Sequence, residues 1–185
     1  RVVTLGAGGV GLNCIQTAAI VGALTNIAVD LSPNKLEAAM TFGATHALNA
    51  ARPDVVDEIK VLTAGRGADY VFVATGSGAA MAVAPLLVRR GGTVVLVGMA
   101  PSGLKVDYDP LDIANDSIRL IGSKMGGARL QTDIPTLLAH YRSGRLKLDE
   151  LVSGCYPLED INKAIDSVKR GEALRNVIVF SGEGA

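Results

Sequence analysis

The sequence predicts an α/β fold built on a doubly wound parallel sheet of six strands, and three features carry that prediction. The chain opens with a short apolar run, Val2 to Leu5, then a glycine turn, Gly6-Ala7-Gly8-Gly9-Val10-Gly11, and then an apolar-rich helical segment, Leu12 to Val21. Apolar runs of strand length alternate from there with segments of helical spacing as far as Ile121. The run Tyr70-Val71-Phe72-Val73-Ala74 is apolar without alternation, as a strand buried on both faces of a parallel sheet must be.

The glycine turn has the G-x-G-x-x-G spacing of a dinucleotide fold. In that pattern Gly6 makes the tight turn, Gly8 lets the backbone approach a pyrophosphate, and Gly11 lets helix and strand pack closely. The helix start directs free N–H groups and its positive dipole end at the phosphates. The spacing alone is weak, but the next apolar run, Ile27-Ala28-Val29, ends in Asp30. An acid at that distance beyond the glycines suits the adenosine ribose hydroxyls.

Pro33 to Phe42 has helical spacing through Leu36, Ala39 and Met40, with Pro33 fit for a first turn and Gly43 for a stop. Thr45 to Leu48 reads as the third strand. Asp54 to Leu62 is amphipathic, with Val55, Val56, Ile59 and Leu62 inward, and Gly65-Arg66-Gly67 turns into the fourth strand at Tyr70 to Ala74. Thr75-Gly76-Ser77-Gly78 leads into a helix over Ala79 to Val88. Gly91-Gly92 precedes the fifth strand, Thr93 to Val97, which Gly98-Met99-Ala100-Pro101 ends. A looser, partly polar stretch follows, and Ile118 to Ile121 is the sixth strand.

A doubly wound sheet of this kind takes the strand order 3-2-1-4-5-6 and binds ligands beyond the carboxyl ends of its strands, where the order reverses. Gly6 to Gly11, Asp30, Thr75-Gly76 and Gly98-Met99 all fall at such ends, so four strand ends converge on one crevice. Beyond Gly122 the rhythm weakens: Asp133 to Tyr141 reads as helical, Leu151 to Tyr156 as extended, Leu158 to Lys169 as helical and Val177 to Phe180 as a strand. That last strand has no place in the six-stranded sheet and is assigned to another sheet, outside this chain. The division expected is a dinucleotide-binding Rossmann domain over 1–145 and a C-terminal extension over 146–185. The chain starts inside a strand with no preceding loop and reads as a piece of something longer.

Composition narrows the function. The 185 residues suit one domain with a small extension, and the 22 glycines are a high count that many tight strand-to-helix turns would use. With 18 basic against 18 acidic residues and a formal charge of +0, no general field draws nucleic acid or an anionic membrane, and neither is expected as a partner. Cys14 and Cys155 are far apart, which suits no disulfide framework and no Cys-x-x-Cys metal site. A reducing, cytoplasmic location is expected. No run of 18 apolar residues and no signal-peptide pattern is present.

The glycine turn, the Asp30 to Lys35 stretch, Phe42-Gly43-Ala44-Thr45, the run Gly91 to Gly98, and Leu148-Asp149-Glu150-Leu151 through Tyr156-Pro157-Leu158-Glu159-Asp160-Ile161-Asn162 together resemble the zinc-dependent alcohol dehydrogenases of the medium-chain dehydrogenase/reductase superfamily. The class that includes glutathione-dependent formaldehyde dehydrogenase is the most alike. The resemblance implies that NAD(H) lies between this coenzyme-binding part and a catalytic domain, with zinc holding an alcohol or aldehyde oxygen during hydride transfer. It further implies that the extension returns to that catalytic domain. Carried over by residue, it puts Val10 beside the cofactor, Gly8 and Gly9 under the pyrophosphate, Asp30 and Lys35 at the adenosine ribose, and Val97-Gly98-Met99 along the nicotinamide. Arg175 matches an arginine that reaches a cofactor phosphate. Solvated surface charge is the plainer alternative for Lys35 and Arg175, and a strand-end turn for Thr75.

The family's zinc ligands lie upstream of the glycine turn. The His and Cys residues here, His46, His140, Cys14 and Cys155, show no ligand spacing, so no catalytic or metal residue is assigned and zinc is expected only in the other half. Alone, the chain is expected to bind NAD and turn over no alcohol. Two alternatives stay open: a zinc-free NADPH-dependent quinone or enoyl reductase of the same superfamily, which Asp30 opposes, and a nucleotide-sensing regulatory module. A homodimer is expected through the sheet edge, with Val106, Asp107, Tyr108, Ile118 and Leu120 in contact.

Overall fold

The computed structural model describes residues 1–180. The chain runs β1 (Val2–Leu5), α1 (Gly9–Ile20), β2 (Asn26–Asp30), α2 (Pro33–Thr41), β3 (His46–Asn49), α3 (Val55–Leu62), β4 (Ala68–Val73), α4 (Gly78–Leu87), β5 (Val88–Leu96), α5 (Pro110–Asn115), β6 (Arg119–Gly122), α6 (Leu130–Arg142), β7 (Val152–Pro157), α7 (Ile161–Lys169) and β8 (Arg175–Val179). Six strands form one parallel sheet in the order β3-β2-β1-β4-β5-β6. This is the doubly wound arrangement that the alternation of elements predicts. Residues 181–185 of the expected extension lie outside the described residues.

Burial explains the order. All four residues of β1 are buried, as befits a strand with neighbours on both edges and helices on both faces. Val3, Leu5, Ile27, Val29, Val71 and Val73 share one face and pack with Ile59 of α3 and Met81, Ala84 and Leu87 of α4. On the other face the strands present smaller residues. Thr4 is in register with Ala28, and Ala28 packs with Leu12 and Ile15 of α1 and with Ala39 and Phe42 of the α2 region. Asn26, fully buried, ties this layer together by donating from Nδ2 to the Ile15 carbonyl at 2.8 Å and the Gly43 carbonyl at 2.9 Å.

Four local readings are corrected. The terminal strand pairs within this chain: β8 lies parallel to β7 in a two-stranded sheet, with Cys155 opposite Val177, and α7 is the crossover between them. A parallel pair leaves no short-range turn signal to read. The looser stretch contains α5, which begins with Pro110 and is capped by Asp109 Oδ1 accepting from Leu111 N–H at 2.8 Å; it buries nothing, so it lacks apolar spacing. β5 begins at Val88, ahead of Gly91-Gly92, because its pairing with β4 shifts register between Ala68–Val88 and Tyr70–Thr93, and Gly91 takes φ +67° in the bulge. Finally, Val106-Asp107-Tyr108, expected in the contact at the sheet edge, lies outside the sheet. Val106 and Ile118 turn inward against the core, and the Tyr108 hydroxyl donates to the Met81 carbonyl at 3.2 Å. The sheet's edge strands are β3 and β6, and all four residues of β6 are exposed.

The extension is seated on the first two helices. Leu151 joins the core beneath α1 and α2, and Lys147 Nζ donates to the Thr41 carbonyl at 2.6 Å. α6 buries none of its residues among those described.

Candidate functional site

Gly6 leaves β1 with φ +94°, a left-handed conformation that strains any residue with a Cβ. Gly8 then caps α1 without a side chain. The first backbone bond of the helix end runs from Leu12 N–H to the Gly8 carbonyl at 2.8 Å, so the N–H groups of Gly9, Val10 and Gly11 have no intrahelical acceptor. With no acid in the first turn, the dipole and these donors make an anion-receiving end. A Cβ built on Gly8 would meet nothing within 4 Å, so the turn is open on the side of Gly8, toward the cavity it borders. A Cβ on Gly11 would overlap the Gly6 carbonyl oxygen, so Gly11 marks where α1 rides directly on the turn.

Asp30, half-buried at the end of β2, accepts from Ala7 N–H through Oδ2 at 2.7 Å and from Ser32 N–H through Oδ1 at 2.9 Å. Each oxygen keeps capacity for a further donor. Gly6, Gly8, Asp30, Lys35 and Thr75 border a cavity of about 550 Å³ whose floor is apolar, with Val55, Val56 and Ile59. Lys35 Nζ lies 3.6 Å from where a Cβ on Gly171 would sit, between this cavity and the turn after α7. Thr75 Oγ1 accepts weakly from Ser77 N–H at 3.3 Å.

On the other side of the glycine turn a wider cavity of about 1370 Å³ is bordered by Val10, Gly76, Val97, Gly98 and Met99. Two strand-end loops touch backbone to backbone here. A Cβ on Gly98 would overlap the Thr75 backbone, and one on Gly76 would lie 2.5 Å from the Met99 carbonyl oxygen. Met99 is 86% exposed and Val10 52%, so this wall is apolar and uncovered. Cys14 lies in it, and burial pushes its thiol pKa up, which keeps it protonated and apolar in character at neutral pH.

Residues 9–143 match the family model described as zinc-binding dehydrogenase. The chain belongs to the zinc-binding dehydrogenase family. It is 35% identical to the S-(hydroxymethyl)glutathione dehydrogenase of Paracoccus denitrificans, over 97% of this chain and 50% of that protein. The crystal structure of benzyl alcohol dehydrogenase from Acinetobacter calcoaceticus superposes with a TM-score of 0.93 at 30% identity, over 98% of this chain and 49% of that one. A zinc-binding dehydrogenase from Sinorhizobium meliloti, solved bound to NADP, gives a TM-score of 0.83 at 29% identity, over 97% of this chain and 52% of that one. The chain spans about half the length of the curated relatives it matches. The resemblance read from the glycine turn and the 148–162 stretch is thereby borne out.

Within this zinc-binding dehydrogenase segment, Arg175 at the start of β8 reaches the turn from the extension. A Cβ on Gly9 would lie 2.9 Å from the Leu174 carbonyl oxygen and 3.6 Å from Arg175 Nη2. Neither Arg175 nor Lys35 enters an ion pair among the described residues, so both cations are uncommitted at the edge of the crevice. Gly6, Gly8, Gly9, Val10, Asp30, Lys35, Thr75, Gly76, Val97, Gly98, Met99 and Arg175 therefore gather around the turn, and Gly11 packs against it while its N–H stays without an intrahelical acceptor.

Sequence reading missed Asn13 and Gln16, whose amides lie beneath the turn. The only signal for Gln16 was a polar residue beside Leu12 and Ile15 on the inward stripe of α1. His46 pairs with Thr45 Oγ1 at 2.8 Å, His140 lies on α6 and Cys155 on β7. Among the described residues no three His, Cys, Asp or Glu side chains are grouped to hold a metal ion.

Proposed function

We propose that this segment holds NAD(H) for an oxidoreductase that moves hydride between an alcohol and its aldehyde or ketone. The observation that carries the proposal is the open space in front of Gly8, faced by the free N–H groups of Gly9, Val10 and Gly11 and flanked by Asp30 and Arg175. When bound, the cofactor supplies a hydride acceptor at nicotinamide C4. The glycine N–H groups and the Arg175 guanidinium neutralise the pyrophosphate. Asp30 accepts from the ribose hydroxyls, with Lys35 beside it, and the apolar wall of Val10, Val97 and Met99 keeps water from one face of the nicotinamide. The substrate is a small alcohol or aldehyde. Its zinc and zinc ligands are assigned to the other half of the protein, upstream of the glycine turn; within this segment the dinucleotide-binding domain is taken as 1–145 and the extension toward the catalytic half as 146–185. No helix of the described residues is long and apolar enough to cross a membrane, and two free cysteines suit a reducing compartment; the cytoplasm is proposed.

NAD(H) is proposed over NADP(H) because a 2′-phosphate beside the Asp30 carboxylate would bring like charges together at a cost of about 2 kcal/mol or more, roughly thirtyfold in affinity. Calorimetric titration should show that preference in the unmodified chain, and Asp30→Ser should narrow it. Equal affinities for the two cofactors in the unmodified chain would rule the assignment out.

The same chain is expected to bind NAD yet to form no NADH with a panel of primary alcohols and added zinc, since no group of His, Cys, Asp or Glu among the described residues could hold the metal that would lower the alcohol's pKa. Steady zinc-dependent turnover would point to ligands among His46, His140, Cys14 and Cys155.

A homodimer through β6 is proposed from its open edge and the 38% and 47% exposure of Leu120 and Ile121. Asp107 and Tyr108 lie in the segment leading to that edge. Light scattering at high protein concentration should give twice the chain mass, and a monomer mass would count against the edge as an interface.

A further inference from the structure

Beneath the glycine turn a chain of side-chain amides runs from the extension to the first residue of α1. Gln16 is 2% exposed. Its Oε1 accepts from Lys147 N–H at 2.8 Å, and its Nε2 donates to the Lys147 carbonyl at 3.1 Å and to Asn13 Oδ1 at 2.9 Å. Asn13 Nδ2 in turn donates to the Gly9 carbonyl at 2.7 Å. The polarity of the relay is forced from one end. Lys147 N–H can only donate, which fixes Oε1 on its side and leaves Nε2 to face Asn13 Oδ1, so that only Nδ2 is left for Gly9.

The other side of Gly9 is met by the same extension, through the Leu174 carbonyl and the Arg175 guanidinium. Gly9 is thus held between two parts of a segment that begins more than a hundred residues later in the chain. The reason such a grip matters is local. Gly6, Gly8 and Gly9 give the turn more backbone freedom than any other residues would, and freedom still present in the empty site is lost on binding. A relay that fixes the Gly9 carbonyl also fixes the one peptide plane it belongs to, whose N–H is that of Val10, and through it the start of the helix.

We propose that Asn13 and Gln16 are positioning residues, which tie the start of α1 to Lys147 and so hold the Val10 N–H, and with it the first turn of the helix, in place for the cofactor's pyrophosphate. The proposal rests on the nucleotide-binding reading above. Neither side chain needs to touch the cofactor: both amides are engaged by the protein itself.

The test compares the unmodified chain with Gln16→Leu, Asn13→Ala and the double variant, titrated with NAD and ADP-ribose by calorimetry and with adenosine by NMR. Each single substitution is expected to weaken NAD and ADP-ribose about fivefold, the size of one lost hydrogen bond, and to leave adenosine binding unchanged. The double variant should be no weaker than the worse single one, because both cut the same relay. A parallel loss of adenosine binding would indicate general loosening of the fold and overturn the proposal. So would single effects that add in the double variant, or NAD binding that none of the variants alters. If Gln16→Leu does not fold, Asn13→Ala leaves the Gln16–Lys147 bonds in place and decides the question through the same ligand comparison. An unmodified chain that binds neither NAD nor ADP-ribose would instead remove the nucleotide reading itself, and this inference with it.

Discussion

Replacing Gly11 by valine is expected to abolish cooperative folding of the chain. A Cβ at this position overlaps the Gly6 carbonyl oxygen, and neither partner can retreat cheaply. Gly6 N–H is bonded to the Val29 carbonyl at 2.8 Å, which pins the turn to β2. α1 is pinned by Leu12 and Ile15, both fully buried. Relief would require the helix to lift off the sheet and expose these side chains, each of which contributes about 1.5–3 kcal/mol by burial. The sum, about 3–6 kcal/mol, reaches the lower end of the whole stability of a domain, about 5–15 kcal/mol, before the broken turn hydrogen bonds are counted. Urea unfolding followed by circular dichroism should show no sharp transition for Gly11→Val. A transition within about 1 kcal/mol of the unmodified chain would mean that helix and turn are not in contact as described.

Gly8→Val, three positions away, is expected to do the opposite: normal folding and lost cofactor binding. Gly8 has φ −75° and ψ −173°, extended backbone that valine adopts readily, and its Cβ would meet no protein atom within 4 Å. The added methyl groups would project into the space in front of the free N–H groups. There they would hold the pyrophosphate away from its donors, and NAD affinity should fall by about a hundredfold or more, the equivalent of two or three charge-assisted hydrogen bonds weakened together. Calorimetry with NAD, beside an unfolding curve matching the unmodified chain, checks both halves. Undiminished binding would show that the phosphates do not lie over this turn.

These two glycines show what the sequence makes legible. Spacing identified both positions, because a tight strand-to-helix turn over a phosphate imposes the same constraints wherever it occurs. The strand order was legible for a similar reason. Continuous apolar runs such as Tyr70 to Ala74 can be satisfied only between covered faces, and alternation with helices leaves few ways to connect them. What stayed hidden depends on partners distant in the chain or on backbone alone. Gln16 finds Lys147 131 residues away, and nothing near Gln16 signals it. Gly76 and Gly98 stand at the cavity as expected, but the backbone contact between their loops was not legible, since backbone-to-backbone contact leaves no side-chain pattern. α5 is six residues long and buries nothing, so periodicity had nothing to detect. β8 was set apart correctly from the main sheet, yet its pairing with β7 was not foreseen, because α7 separates the two strands.

The dependence of Gly9 on Lys147, Leu174 and Arg175 also fixes an order of events during synthesis. All six strands of the main sheet have been made once Gly122 is added, and the amino-terminal part of a growing chain is free to fold while the rest is still being translated. At that stage the glycine turn has neither its amide relay nor its arginine. If the segment holds a dinucleotide as proposed, its grip would be complete only after Arg175 has left the ribosome, so a chain ended before Lys147 would carry a finished sheet with an unfinished turn.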